Sequence, residues 1–358
     1  VPKMSGKNQV TRSVPLNERE QVILQAIINS YVATAEPVGS RTVVKRFGLD
    51  LSAATVRNVM ADLEEQGYLQ QVHTSSGRIP TDAGYRYYVD YLMKVQQLTQ
   101  SERRRIEGEY EKQLNDVDDV LRRTSHLLAL VSHHAGLVEA LDVEQARAQR
   151  FELMRVSDER VAVLLVDNFG SVHSLATAVK PTASSEQLMR LSNFLNQNFQ
   201  GATLGTLSST ISEKLGDELS EQRDLAHSVL SILDMLPQRR EKKLFLEGAV
   251  HLFEHPEFQS IEQAREVFGL LDEHDRLISL LRKAVSEDGS PAVFISREND
   301  EAVGVDGIGV VASPYRVDGK PVGLIGILGP RRMPYSKLTA IVQHTSEVVG
   351  RFLTRLMR

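Results

Sequence analysis

Between Asn17 and Leu63 the chain carries three helix-start signals in close succession, and directly afterwards its hydrophobic period changes. Asn17 can cap a helix with Glu18 and Glu20 in its first turn, and Val22, Ile23, Ala26, Ile27 and Tyr31 recur at helical spacing. "AEPVGS" ends it; Ser40 can cap a short second helix, "RTVVKRF", which Gly48 stops. Ser52 caps a third, where Val56, Val59, Met60 and Leu63 stand at i, i+3, i+4 and i+7. That face is committed to a core, which leaves Ala54, Arg57, Asn58, Ala61 and Glu65 on the other. "YLQQV" and "GRIP" can then pair as two short strands around "HTSSG", and Thr81 can cap a further helix, "DAGYRYYVDYLMK". Two helices, a tight turn, a third helix and a hairpin make a winged helix-turn-helix.

The third helix has the chemistry for reading DNA. Ala54 and Ala61 are small enough to admit a groove wall, and Arg57 and Asn58 can make bidentate contacts to guanine and adenine edges. Thr55 sits where it can reach the backbone or a thymine methyl, and Ser52 with the free N–H groups of the first turn can meet a phosphate. Arg41, Lys45 and Arg46 would face the phosphates where the second helix crosses them. In the hairpin, His73, Thr74, Ser75, Ser76 and Arg78 surround Gly77, offering hydroxyl donors and a long cation to the DNA backbone. Each feature alone also suits an ordinary solvated surface; their adjacency favours DNA.

Charge neither supports nor excludes that partner. The net charge is −5, and the residues up to Lys94 hold eleven basic and nine acidic groups, so the asymmetry is mild. At 358 residues the chain has room for two or three domains. It contains no cysteine, so disulfides, a thiol nucleophile and cysteine-based metal sites are excluded. Residues 1–15 read as a polar, disordered leader, and no apolar run is long enough to span a membrane; a cytoplasmic protein is expected.

Beyond the hairpin, Gln100 to Leu137 reads as a connector helix. "FELMRV", "RVAVLLVD" and "VHSLATAV" read as an antiparallel meander, with partners expected much later in "PAVFIS", "GIGVVASPYRV" and "KPVGLIGILGP". Asp318-Gly319 is the turn between the last two, and an amphipathic helix runs from Ser336 onward. Ser184 to Ser286 is mostly helical, so a sheet domain interrupted by a helical insertion is expected, and the fold class is α+β with several domains.

Enzyme motifs are weak. "HLFEH", His251 to His255, has the spacing of an inverted zinc-protease motif, but Pro256 biases His255 away from helical dihedrals. His133-His134 reads as a pair on a helix surface. "GVDGIGVV" leads into a strand rather than a helix N-terminus, so it lacks the mechanism of a dinucleotide loop. No enzyme and no cofactor are expected.

The stretches "YVATAEPVGSRTVVKRFGLDLSAATVRNVMADLEEQGYL", "HTSSGRIPTDAGYRYYVD" and "GVVASPYRVDGKPVGLIGILGPRRMPYSKL" resemble HrcA, the family of bacterial heat-inducible transcription repressors. The resemblance implies a winged helix at 16–98, a GAF-like domain at 99–199 and 288–358, and a dimerising insertion at 200–287. It implies a homodimer on an inverted-repeat operator in double-stranded DNA upstream of chaperone operons, kept active by the chaperonin GroEL and released on heat stress. Val59 stands where the family usually has an acidic residue, and in the helical wheel it faces the core. The GAF-like label brings a second expectation, a regulator gated by a small molecule.

Overall fold

The computed structural model describes residues 16–48, 50–72, 77–110, 116–141, 146–170, 172–178, 184–207, 243–286, 289–296 and 305–357. The chain divides at Lys94 into two units, Val1–Lys94 and Val95–Arg358. The leader, residues 1–15, lies outside the described residues.

In the first unit, α1 (Glu18–Thr34) opens on a capping box: Asn17 Oδ1 accepts from the Glu20 N–H at 3.0 Å, and Glu20 Oε2 accepts from the Asn17 N–H at 2.8 Å. Its buried stripe runs through Ile23, Leu24, Ile27 and Ile28, while Val22 is 46% exposed. Of the expected face Ile23, Ala26 and Ile27 are buried, whereas Val22 is exposed and Tyr31 half-buried; apolar residues at 22–24 and 26–28 offer two overlapping stripes, and the bulkier one is buried. The next helix, α2 (Ser40–Phe47), starts on Gly39 as N-cap, so Ser40 is its first residue and not its cap; Gly48 ends it at φ 58°. Ser52 caps α3 (Ala53–Glu65), and the four residues assigned to its inner face, Val56, Val59, Met60 and Leu63, are all buried.

The hairpin consists of β1 (Leu69–Gln71) and β2 (Arg78–Pro80), antiparallel, with Leu69 opposite Pro80 and Gln71 opposite Arg78. Sequence reading missed its third member. Val38, in the turn between α1 and α2, exchanges both backbone hydrogen bonds with Arg78, each 2.9 Å. That close approach explains Gly77, where a Cβ would lie 2.4 Å from the Val38 carbonyl. Thr81 then caps α4 (Asp82–Tyr87) and donates its hydroxyl to the Gly67 carbonyl at 2.6 Å; a π-helical turn, Tyr88–Leu92, follows.

The second unit holds two sheets. After α5 (Gln100–Gly108) and α6 (Val117–Ser132), His133 takes a left-handed φ of 57° and the chain enters β3 (Ala135–Glu139). The expected connector helix through Leu137 therefore ends early. A short apolar run such as "GLVEAL" suits a buried strand as well as a helix, and periodicity cannot separate them.

The meander forms as expected from β4 (Ala148–Ser157), β5 (Arg160–Asp167) and β6 (Val172–Ala178), but as a separate three-stranded sheet. It packs on α7 (Ser185–Phe199), whose Asn196 side chain accepts the Phe151 N–H and donates to the Phe151 carbonyl, both at 2.8 Å. This substitutes for a missing neighbour strand.

The late strands do not pair with that meander. With β7 (Leu244–Glu247), β8 (Ala292–Ile295), β9 (Ile308–Val317) and β10 (Lys320–Pro330), the five-stranded sheet has the antiparallel order β7-β3-β10-β9-β8. β3 and β9 take the two edges of β10, so no edge of that strand is left for the meander. Asp318 and Gly319 form the β9–β10 turn at φ 48° and 79°, the left-handed pair such a hairpin needs.

One sheet face is covered by α8 (Ile261–Asp272) and α9 (His274–Lys283), with Leu277, Ile278 and Leu281 against Val310, Ala312 and Leu328. The other is covered by α6 and α10 (Tyr335–Leu356). Gly136 admits α6: a Cβ there would lie 2.1 Å from the Ser125 carbonyl oxygen. Residues 208–242, within the stretch expected to be mostly helical, lie outside the described residues. No helix among the described residues is long and apolar enough to cross a membrane.

Candidate nucleic-acid interface

The entry end of α3 is built by its cap. Ser52 Oγ accepts the Thr55 N–H at 3.0 Å and lies 2.9 Å from Thr55 Oγ1; the first intrahelical bond runs from the Val56 N–H to the Ser52 carbonyl. The N–H groups of Ala53 and Ala54 have no intrahelical acceptor, and the first turn carries no acid, so this end suits a phosphate.

Ala54, Arg57 and Asn58 are exposed, whereas Thr55 and Ala61 are half-buried. Among the described residues neither Arg57 nor Asn58 is tied to another side chain. Val56, Val59, Met60 and Leu63 anchor the opposite face, so the orientation of the two polar residues follows from core burial. Val59, 8% exposed, belongs to that core and not to the candidate interface.

The flanking cations divide. Arg41 and Lys45 are exposed one turn apart on α2, while the Arg46 guanidinium donates to Ser30 Oγ at 3.2 Å and is tied back to α1. Arg78 has a partner that sequence reading did not supply: its Nε lies 2.7 Å from Glu64 Oε2 on α3, a contact of charge without the alignment of a hydrogen bond. Its side chain is only 19% exposed. Gly77, rigidly apposed to Val38, was the one sequence signal for this arrangement. His73, Thr74, Ser75 and Ser76 lie outside the described residues.

The "HLFEH" segment has no protease-like geometry. Ala249–Glu254 is a 3-10 helix and His255 is extended at φ −84°, ψ 134°, so the two histidines do not share an α-helical face. Nor is His134 on a helix surface. It is buried beyond the left-handed cap of α6 and stacks on His255 at 4.9 Å, while the His133 ring meets His251 edge-on at 5.8 Å. His134 Nδ1 lies 2.6 Å from the Ser132 carbonyl. Burial pushes His134 down to about 4 and lowers His255 as well, so both rings are neutral near pH 7. Among the described residues no three histidine or acidic side chains converge as a metal site.

Comparison with known proteins gives one consistent result. Residues 118–339 match the family described as "HrcA protein C terminal domain". The heat-inducible transcription repressor HrcA of Geobacter sulfurreducens is 38% identical over 338 residues, spanning 94% of this chain and 98% of that protein. The repressor of the same name from Pelotomaculum thermopropionicum is 35% identical over 346 residues, 96% of this chain and 98% of that one. A crystal structure of a hypothetical protein, 22% identical, covers 96% of this chain and 100% of its own with a TM-score of 0.59, so the fold is shared. With identity at this level sustained over nearly its full length, the chain belongs to the HrcA family of heat-inducible transcription repressors.

Proposed function

We propose that the chain represses transcription of chaperone operons by occupying an inverted-repeat operator as a homodimer. Each protomer presents its first unit as a winged helix, with α3 in the major groove. Arg57 and Asn58 read base edges there, past Ala54 and Thr55, while Ser52, Arg41 and Lys45 hold phosphates. The observation that carries this reading is the two-faced α3: four buried apolar residues fix it, and its untied polar pair faces outward from a phosphate-ready N-terminus. His73 to Ser76 would complete the wing against the adjacent backbone. Family membership supports heat inducibility, with the chaperonin GroEL sustaining the active repressor and its titration by damaged protein releasing it.

The second unit serves the dimer in this reading, its five-stranded sheet forming the GAF-like domain. We place the dimerising insertion between β3 and β7 rather than at 200–287, because the strands bounding that interval pair with each other.

Hydroxyl-radical footprinting on an inverted-repeat duplex tests the dimer. Two protected half-sites centred an integral number of helical turns apart, each turn roughly 10.5 base pairs, are expected. A single protected half-site at saturation contradicts it.

A further inference from the structure

Three arginines of the second unit, Arg316, Arg351 and Arg355, line one open cleft of about 680 Å³ between the β9–β10 turn and the C-terminal half of α10. Gly350 brings them together: a Cβ there would lie 2.4 Å from the Arg316 carbonyl oxygen, so helix and strand meet backbone to backbone. Arg351 and Arg355 then stand one turn apart on the helix, with Arg316 on the strand. None of the three has an ion-pair partner among the described residues; Arg316 makes only a long 3.4 Å hydrogen bond to the Gly319 carbonyl. Arginines not held in ion pairs, gathered round one concavity, suit a phosphate through their paired N–H donors.

The rest of the lining suits hydroxyl groups. Asp318 and Glu347 supply carboxylates, and Ser346 sits on the floor with its Oγ 3.1 Å from Ser313 Oγ. The volume is that of a site for a small organic molecule and far exceeds the needs of an inorganic ion. We infer that this cleft binds a phosphorylated, hydroxyl-bearing small molecule, its phosphate on Arg316, Arg351 and Arg355 and its hydroxyls on Glu347 and Asp318. The site lies wholly within the second unit and does not depend on the operator reading.

Calorimetric titration of the full chain with fructose 1,6-bisphosphate, fructose and inorganic phosphate tests it. Saturable binding of the bisphosphate is expected, at least about tenfold tighter than inorganic phosphate, with no binding of fructose. Arg316→Gln with Arg351→Gln should weaken it at least about tenfold; Glu347→Gln should weaken the bisphosphate but leave inorganic phosphate unchanged. Arg265→Gln, which removes an exposed cation of α8 outside the cleft, should change nothing. Absence of saturable binding overturns the inference, as does equal affinity for inorganic phosphate, or a loss caused by Arg265→Gln and not by the arginine pair. Operator binding is measured separately, so either claim can fail alone.

Discussion

Arg78 Nε lies 2.7 Å from Glu64 Oε2, so charge ties the second hairpin strand to the last turn of α3. Arg78 reads from sequence as a cation available to DNA; in the fold its charge is engaged by the helix that would enter the groove. Glu64→Gln should free it. DNA affinity should then rise, and the log–log salt dependence should steepen by roughly 0.9, the contribution of one added phosphate contact. An unchanged slope would show that Arg78 does not face the duplex. The pair is partly exposed, so its loss should lower stability by less than about 1 kcal/mol.

Base and backbone roles separate by specificity. Arg57→Ala or Asn58→Ala should cost roughly 1 to 3 kcal/mol on operator DNA and little on scrambled DNA. Lys45→Ala should weaken both alike. Parallel titrations on the two duplexes decide this, and identical behaviour of Arg57→Ala and Lys45→Ala would refute the assignment.

Gly136 tests the two-faced sheet. Its missing Cβ is what lets α6 lie on β3, with the Ser125 carbonyl 2.1 Å from where that carbon would be. Gly136→Ala should destabilise the second unit by about 3 kcal/mol or more in urea unfolding. Gly108→Ala, at the end of α5 with nothing within 4 Å of the added carbon, should be neutral or slightly stabilising. Equal effects at both sites would mean that α6 does not lie directly on β3.

The buried histidine pair predicts acid sensitivity. His134 is held neutral, pushed down to about 4 by burial, while the unfolded chain titrates near 6.5. Between those values the unfolded state binds the proton and the native state does not, so stability falls as pH falls through that window. The loss attributable to His134 approaches about 3 kcal/mol at its lower end. His134→Leu should flatten the pH dependence of the urea midpoint between about pH 6.5 and 4.5; an unaltered dependence would place the acid sensitivity elsewhere.

The first unit was largely legible in sequence because its signals are local. Caps at Asn17, Ser52 and Thr81 and one apolar face on α3 each depend on residues within two turns. What escaped was long-range. The Val38–Arg78 bridge and the Arg78–Glu64 pair join residues distant in sequence, and only Gly77 hinted at either. The second unit was misread where a short apolar run fits two periods. Taking β3 for helix hid the partner of β10, and the meander was assigned to the wrong sheet. Nothing in the spacing of His133-His134 and "HLFEH" shows that the fold stacks His134 on His255.

Sequence-specific operator binding is the central claim, and a binding titration of the full chain against inverted-repeat operator DNA and a scrambled duplex, at several salt concentrations, tests it most directly. Affinity for the operator should exceed that for the scrambled duplex by at least about a thousandfold at physiological salt, and the preference should survive as added salt weakens both. Equal affinity for the two duplexes at every salt concentration would contradict it.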